Sequence, residues 1–452
     1  MHTFTFVTLK TVKLVCDPYS LSILTTLLPV FTRLKNIDTN RFFFSCFILG
    51  LQQSYPTVTM GIPAAHPLGF SRGGLLRLQD EYMALRRGTL EGVSSTFHNS
   101  KQSIQSMEID NMQKMESLGI EIDKRKDIVL AQCTSALVAS FIATANKYAP
   151  PSTTSAATSA SFNTTRTMSH EWWGSTARAG FMLHFETLLN NSKKDQCLLE
   201  DFVVGARALE KIYITIVNYS AHVGETAPTV EITHVHAAQG SSGSNRMQLN
   251  LYLGANYPFS NLPEAIQRGA MIPVRTTLFS HSPSRTPSSN SLSNRINVEG
   301  LQKLRKYCAI RTRRPPQQHR GLHGSYGSPQ WNATLMQEIA ELLQAAQTHL
   351  NAGQETSQWN LRLNRVARLV GAGRVTTCKD GMDLTSMAIT LEFSNLLRDN
   401  HRIQNVEDSA HTLRLRGVRR DNVQKNTYQR QYATLVGENL SPLYTPPRGT
   451  TL

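Results

Sequence analysis

The sequence predicts an α+β fold, in which a mostly helical region precedes an α/β unit. Apolar residues recur at helical spacing through much of the chain before residue 225. After it, short runs rich in Val, Ile, Thr and Leu are typical of strands. A strand–loop–helix pattern around Cys378 adds a third observation, because that pattern is the building block of α/β folds.

The chain divides into three predicted parts. Residues 1–54 are atypical in composition and are expected to be poorly ordered, residues 55–225 form the mostly helical region, and residues 226–452 form the α/β unit. Within that unit, residues 281–294 and 311–330 are expected to be disordered loops, because they hold too few apolar side chains to order in a core.

Periodicity places the individual elements. In the first region, a linker is predicted at residues 150–169 and helices at residues 75–87, 104–148, 178–190 and 197–220. In the second region, strands are predicted at residues 229–236, 247–253, 271–279 and 374–377. Helices are predicted there at residues 299–310, 333–350, 361–370 and 386–399, and within 405–435.

Charge and cysteine content limit the classes of function. The chain has 47 Lys and Arg against 32 Asp and Glu, a formal net charge of +15, which favours an anionic partner. Nucleic acid is one such partner, but no helix-turn-helix, zinc finger or ribonucleoprotein signature is present, so no nucleic acid is expected. The six cysteines form no Cys-x-x-Cys pair, which argues against a zinc or disulfide framework and favours a reducing compartment.

The stretch with chemical potential is residues 374–387, where a short strand, a tight loop and a helix follow one another. A loop that ends at a helix amino terminus points N–H groups at one spot and, with the helix dipole, forms an anion site. Cys378 opens this loop, so its pKa is expected to fall, and its thiolate could attack phosphorus. Gly381 would permit the close approach or positive φ that such a loop requires.

Several segments resemble the inositol polyphosphate 4-phosphatase family, whose loop is of the type Cys-Lys-Ser-Ala-Lys-Asp-Arg-Thr-Ser-Met. The loop and the strand before it match at Arg374, Val375, Thr376, Cys378, Lys379, Asp383, Thr385, Ser386 and Met387. Further similar segments follow in the family's order, at residues 61–75, 276–280, 297–304, 391–399 and 443–450. The chain is therefore identified as similar to the family's catalytic half over about residues 55–452.

The resemblance implies that the α/β unit is a cysteine-phosphatase unit. It implies removal of the 4-phosphate from phosphatidylinositol 3,4-bisphosphate or inositol polyphosphates through a phosphocysteine, with no metal and no cofactor. Cys378 would be the nucleophile, Asp383 a candidate general acid, and Thr385 a hydrogen-bonding group near the thiolate. The expected location is the cytoplasm, with peripheral association to anionic membrane surfaces.

Two loop residues depart from the family pattern. Met382 stands where the family has a second lysine, and Leu384 stands where it has the arginine that grips the phosphate. Both changes remove positive charge, so the pKa of Cys378 should be less depressed than in the family. The positions expected to surround a phosphate are Lys379, Asp380, Gly381, Met382 and Leu384.

Leu384 has three interpretations. It indicates a pseudophosphatase that binds phosphoinositide or protein partners without turnover, or a sequence error, because Arg and Leu codons can differ by one base. In the third interpretation another arginine replaces the missing one, with Arg374, Arg414 and Arg419 as candidates. Asp383 has a second interpretation of its own, as a cap of the following helix.

Other residues carry weaker signals. His234 and His236 lie on one side of a predicted strand, but no third ligand is apparent and no metal site is expected. Trp172 and Trp173 are expected to be core or interface anchors rather than a membrane wedge. A basic carboxy-terminal stretch is either a solvated helix face or a contact for anionic headgroups, and it contains Arg414, Arg416, Arg419, Arg420, Lys425 and Arg430.

Overall fold

A computed structural model describes most of the chain from residue 53 onward and three short segments before it. The described residues are 4–7, 13–16, 44–48, 53–95, 101–150, 159–190, 192–218, 228–235, 246–255, 257–283, 291–312, 333–352, 357–401, 403–416, 423–424, 429, 431–432 and 440–451.

Ten of the described segments are strands, and they form one mixed sheet. In chain order they are β1 (Phe4–Val7), β2 (Lys13–Cys16), β3 (Phe44–Ile48), β4 (Gln53–Gly61), β5 (Phe181–Leu188), β6 (Ile212–Ile216), β7 (Thr229–Val235), β8 (Arg246–Tyr252), β9 (Ile272–His281) and β10 (Gly373–Cys378). Across the sheet the order is β1-β3-β4-β10-β5-β9-β6-β8-β7-β2.

Ten α-helices lie within the same described ranges. They are α1 (Leu75–Ser95), α2 (Lys101–Lys147), α3 (Ser159–Ala179), α4 (Lys193–Ala208), α5 (Glu264–Gln267), α6 (Ser291–Thr312), α7 (Ala333–Asn351), α8 (Ser357–Leu369), α9 (Asp383–His401) and α10 (Val406–Arg416). Short 3₁₀ turns occupy His66–Leu68, Leu209–Lys211, Phe259–Asn261 and Pro442–Tyr444.

The centre of the sheet consists of parallel strands that are covered on both faces. β10 pairs in parallel with β4 and β5, and β5 pairs in parallel with β9. On one face, Leu183 and Phe185 pack with residues of α2 and α4. On the other face, Met182 packs with residues of α6, α7 and α8. This arrangement confirms the predicted mixture of helix and sheet, and helices on both faces are typical of parallel sheets.

The predicted helix at residues 178–190 is wrong, because this stretch forms the strand β5. All eight residues of β5 are buried, so neither of its faces is exposed to solvent. A strand of that kind lacks the alternation of a half-exposed strand, and its sequence resembles a buried helix. The predicted helix at residues 197–220 is also only partly correct, since α4 ends at Ala208 and β6 follows.

The predicted linker at residues 150–169 is also corrected, because α3 begins at Ser159. Residues 150–169 are poor in apolar side chains, and α3 is held in place by hydrogen bonds of residues that follow them. The indole N–H of Trp172 donates to the Gly371 carbonyl at 2.9 Å, and that of Trp173 donates to the Tyr148 carbonyl at 3.2 Å. Both tryptophans are buried, which confirms them as core anchors.

The two predicted loops are shorter than expected. α6 begins at Ser291 and ends at Thr312, so it takes residues from the loop at 281–294 and from the one at 311–330. His281 is the last residue of β9, and the structure also describes the two residues after it. The remaining residues of both loops lie outside the described ranges.

The sheet joins the predicted helical region to the predicted α/β unit. β4 and β5 precede residue 225, and both pair with β10, which follows it. Three short strands, β1, β2 and β3, also lie within residues 1–54. The two regions therefore share one sheet and are not separate layers.

The long helix α2 is part of the core. Its segment Ile109–Lys147 is long and apolar enough to cross a membrane by composition, yet 72% of its most apolar window is buried inside the protein. It contacts β4 and β10. Its hydrophobicity is therefore that of a core helix.

A buried ion-pair network ties the strands to α9. Arg374 on β10 is only 1% exposed, and it pairs with Glu186 on β5 at 3.3 Å and with Glu392 on α9. Burial alone would raise the pKa of Glu392, but Arg368 and Arg374 lower it to about 2. The network therefore holds the carboxylates of Glu186 and Glu392 in the core. Arg374 pairs with both of them, and Arg368 pairs with Glu392.

Replacing Arg374 with Met is expected to lower the free energy of unfolding by about 3–5 kcal/mol, because it leaves two buried carboxylates without their shared partner. Denaturant unfolding at pH 7 measures this. Arg207→Met is the matched control, because Arg207 forms an exposed pair with Glu299 that is worth about 1 kcal/mol or less. Equal losses in the two variants would contradict the structural importance of the network.

Candidate functional site

The candidate site lies where four neighbouring strands end. Cys378, the last residue of β10, is in register with Gly61 of β4 and Leu188 of β5, and Leu188 is in register with His281 of β9. α9 begins at Asp383, five residues after Cys378. The predicted strand, loop and helix are therefore confirmed, and they meet at the edge of a parallel sheet where α/β proteins place their ligand sites.

The loop has the tight shape that Gly381 was expected to permit. Gly381 has a φ of 74°, and a Cβ atom there would lie 2.4 Å from the Gly61 nitrogen. The Ile62 N–H donates to the Cys378 carbonyl at 2.8 Å and holds the start of the loop against the end of β4. A side chain at position 381 would collide with that strand, so glycine is needed here.

The Cys378 thiol is buried and protonated. Its Sγ donates to Asp380 Oδ1 at 3.2 Å and accepts the Gly381 N–H at 3.2 Å. Burial, together with the negative charge of Asp380, raises the pKa of Cys378 to about 12. The expectation of a lowered pKa is therefore wrong for this loop, because burial and a neighbouring carboxylate outweigh the backbone donors.

The Asp380 carboxylate accepts hydrogen bonds from donors of its own loop. Besides the thiol, its Oδ1 accepts the Met382 N–H at 3.0 Å. A bound phosphate would draw on this same kind of donor. The carboxylate thus acts as an internal anion, and it is exposed enough to be displaced.

Leu384 fills the position where the family's arginine is expected. It is 8% exposed and packs in one apolar cluster with Cys378, Leu188, Met387 and Tyr444. The position expected to bind the phosphate therefore holds an apolar side chain. It packs in the same cluster as Cys378 and residues of the carboxy-terminal segment.

The other arginines proposed as replacements are used elsewhere or lie outside the described residues. Arg374 belongs to the buried network with Glu186 and Glu392. Arg414 is 5% exposed, and it donates to the Thr390 hydroxyl and to three carbonyls, those of Met387, Leu443 and Thr445.

Arg414 therefore ties α10 to α9 and to the chain terminus, and it is not part of a solvated basic face. Arg416 lies at the exposed end of α10. The other members of the basic carboxy-terminal stretch lie outside the described residues, and they are Arg419, Arg420, Lys425 and Arg430.

Asp383 and Thr385 open α9. Asp383 is its first residue and is buried, in the position where a carboxylate interacts favourably with the helix dipole. The Thr385 hydroxyl donates to the Met382 carbonyl at 3.1 Å, whereas its backbone N–H acts on Cys378 and lowers its pKa slightly against the effect of burial. A role for Asp383 as general acid stays a prediction.

Comparison with known proteins assigns the chain to a family. The family described as the INPP4A C-terminal domain matches residues 89–439. The chain belongs to this family.

Relatives with curated names match this chain at low identity. The human inositol polyphosphate 4-phosphatase type II is 25% identical over 285 residues, which is 60% of this chain and 28% of that protein. The rat type II inositol 3,4-bisphosphate 4-phosphatase is 24% identical over 289 residues, with the same two coverages. The human phosphatidylinositol 3,4,5-trisphosphate-dependent Rac exchanger 2 protein is 24% identical over 306 residues, 62% of this chain and 18% of that protein. The match thus spans less than a third of each relative.

Two exposed lysines lie at the end of the sheet that carries the Cys378 loop. Lys379 is exposed in the loop, and Lys194 is exposed in the first turn of α4. Burial lowers the pKa of His66, and the charges of Lys194 and Lys379 act in the same direction, which places both near this histidine. Lys194 was not predicted, because reading β5 as a helix hid the fact that α4 starts at the same sheet edge.

His234, the member of the predicted histidine pair that the structure describes, lies away from this site. His234 lies on β7, which is separated from β10 by four strands. His236 lies outside the described residues.

A buried histidine lies on the β9 side of the loop. His281 Nε2 is 3.2 Å from the Tyr444 hydroxyl oxygen, and both side chains are buried. Burial lowers the pKa of His281 to about 3. The imidazole is therefore neutral at physiological pH and serves as packing and hydrogen-bonding group beside the cluster that contains Cys378.

Replacing Asp380 with Asn is expected to speed alkylation of Cys378 by iodoacetamide at pH 8, because it removes the carboxylate that stabilises the neutral thiol. The rate rises several-fold and is measured by mass spectrometry of the Cys378 peptide. Alkylation of Cys197, on α4, is the internal control and should keep its rate. An unchanged Cys378 rate would contradict the inhibiting effect of Asp380.

His281 predicts a pH dependence of stability. The pKa of His281 in the folded state lies below the unfolded value of about 6.5. The contribution of its neutral form to stability is therefore fully present above about pH 6.5 and is lost as the pH falls towards 3. In His281→Gln the slope of unfolding free energy between pH 6 and 4 should be shallower than in the unaltered chain by up to about 1.4 kcal/mol per pH unit. Unfolding in denaturant at four pH values tests this, and parallel slopes would exclude a neutral buried imidazole.

Proposed function

We propose that this chain binds phosphorylated inositol headgroups without hydrolysing them, as a catalytically inactive relative of phosphoinositide phosphatases. Two features of the loop together support this proposal. Leu384 stands where the family has its phosphate-binding arginine, and the Cys378 thiol is protonated. The family assignment supports the inositol phosphate chemistry, and the loop argues against turnover.

The chemistry of phosphoryl transfer explains why this pair of features matters. A cysteine attacks phosphorus as thiolate, and a pKa of about 12 leaves Cys378 almost entirely protonated at neutral pH. The charge that develops on the phosphoryl oxygens needs preorganised donors, and each lost donor typically lowers the rate about 10²–10³-fold. This chain lacks the arginine, and Asp380 adds a negative charge close to the reacting centre.

Binding would use the exposed side of the loop. Lys379 and Lys194 provide positive charge there, and the net charge of +15 favours anionic surfaces over long range. The proposed ligands are phosphatidylinositol 3,4-bisphosphate and soluble inositol polyphosphates, met at the cytoplasmic face of a membrane by peripheral association. Asp195 lies close enough to Lys379 to feel its charge, so it would moderate the affinity.

An active 4-phosphatase is the second candidate. Cys378 keeps the position of the nucleophile, and the Gly381 N–H already points at its sulfur. Two of the curated relatives are named as 4-phosphatases. A phosphate that displaced Asp380 from the Met382 N–H would also remove the interaction that holds the proton on the thiol.

Phosphate release from phosphatidylinositol 3,4-bisphosphate decides between the two. We expect no release above background from this chain, and release to appear in Leu384→Arg combined with Asp380→Asn, because both charge defects are then reversed. The Cys378→Ser version of the double variant should be silent.

Release by the unaltered chain that Cys378→Ser abolishes would establish the enzyme and exclude the inactive relative. Headgroup binding is measured separately by co-sedimentation with vesicles that contain the same lipid. Lys379→Gln should weaken this binding, and Lys211→Gln, an exposed lysine outside the site, is the control of equal charge.

A further inference from the structure

A second basic cleft lies at the opposite edge of the sheet from Cys378. It has a volume of about 350 Å³ and is formed by the start of β4, the end of α2, α8 and the second half of α9. We propose that this cleft is a binding site for a small anion carrying several phosphate groups, separate from the Cys378 loop.

Positive charge dominates the lining of the cleft. The acidic residues in it are Glu392 and Asp399, and the basic residues in it are Lys147, Arg362, Arg365, Arg368 and Arg398. The five cations exceed the two lining carboxylates by three charges, and Glu338 on α7, which pairs with Arg365 at 2.6 Å, reduces this excess to two. Such an excess in a concave, partly buried site favours an anionic ligand.

Both carboxylates pair with cations of the same cleft, which leaves Lys147 and Arg362 outside these pairs. Asp399 pairs with Arg365 at 3.0 Å and with Arg398 at 2.9 Å. Glu392 pairs with Arg368 at 2.8 Å and also with the buried Arg374, which lies behind the cleft. The cleft acids therefore do not neutralise its remaining cations.

Lys147 and Arg362 supply the uncompensated charge. Within the described part of the chain, neither has a carboxylate at salt-bridge distance. The Lys147 ammonium lies 6.0 Å from the ring centre of Tyr55 and 5.2 Å from that of Tyr148. These rings hold the lysine over the cleft by cation–π contact, and its hydrogen-bond donors stay available.

Arg368 offers a further donor. Its side chain is 11% exposed and its Nε bonds to Glu392. Its Nη2 is buried and has no hydrogen-bond acceptor among the described residues. A buried guanidinium nitrogen without an acceptor is costly, and an oxygen of a bound anion would satisfy it.

The geometry favours phosphate groups over a single small ion. Arg362, Arg365 and Arg368 recur every three residues along α8, so their guanidinium groups line one wall. Guanidinium groups bind phosphate bidentately. Arg365 is held by Glu338 and Asp399, so the donors offered to phosphate groups are those of Arg362 and Lys147 and the Arg368 Nη2, which has no acceptor among the described residues. The volume lies within the range of about 300–1,000 Å³ typical of small-molecule sites.

The cleft is independent of the Cys378 loop. α9 begins in that loop at Asp383 and reaches the cleft with Glu392 and Asn400. At about 1.5 Å per residue, the helix places Glu392 roughly 13 Å and Asn400 roughly 25 Å from the loop. A ligand here leaves the loop accessible, and it would contact the helix that carries the loop.

Isothermal titration of the full chain with inositol hexakisphosphate tests the proposal. Arg362→Gln and Lys147→Gln should each weaken binding about tenfold or more, because each removes a charged hydrogen-bond donor. Matched controls are Arg268→Gln, an exposed arginine directly after α5, and Lys126→Gln, an exposed lysine on α2. The controls change the net charge equally and should stay within twofold of the unaltered chain.

The same titration separates this cleft from the loop. Lys379→Gln should leave the binding that depends on Arg362 intact, whether or not the proposed function of the loop holds. Vesicles containing phosphatidylinositol 3,4-bisphosphate distinguish a membrane headgroup from a soluble ligand: loss of vesicle binding in Arg362→Gln assigns the lipid, and unchanged vesicle binding assigns the soluble anion. Equal affinity in cleft variants and controls, or inorganic phosphate binding as tightly as the hexakisphosphate, overturns the proposal.

Discussion

The buried ion pairs of Arg374 fix the strand and the helix on either side of the Cys378 loop. Arg374 lies on the strand before the loop, Glu392 on the helix after it, and Glu186 on the neighbouring strand. Because all three are buried, the pairs hold well only in one arrangement of strand and helix. The loop between them is thereby held in place. Glu392 also pairs with Arg368, so the same network forms the floor of the basic cleft on the opposite edge.

The backbone of the Cys378 loop is shaped like an anion site, whereas Leu384 and Asp380 remove positive charge from it. Gly381 has the required conformation and directs its N–H at Cys378. The charges around that backbone have the opposite effect, because Leu384 is apolar and Asp380 is negative. The same thiol that a positive loop would ionise is thus kept protonated. In this member of the INPP4A C-terminal domain family, backbone shape and electrostatic function have separated.

Local patterns predicted much of the candidate site and only part of the fold around it. The strand, the loop and α9 follow each other within 29 residues, and their order alone indicates an anion site. β5 was misread because burial on both faces removes the alternation that identifies a strand. α3 was missed because Trp172 and Trp173 anchor it through contacts with Gly371 and Tyr148. Errors of this kind arise where distant residues, and not local sequence, stabilise an element.

The sequence by itself determined which groups this protein has: a cysteine at the head of a phosphate-type loop, no arginine after it, and a large excess of basic residues. It also determined the family, through motifs that occur in a recognisable order. Only the tertiary structure decided what those groups do. Burial and the nearby Asp380 set the protonation of Cys378, and the pairing of β4, β10 and β5 brought Lys194 to the loop. Folding likewise gathered Lys147 and Arg362, which are 215 residues apart, in one cleft. The reason is physical: pKa values and ligand sites depend on distances and desolvation, which arise only once the chain is packed.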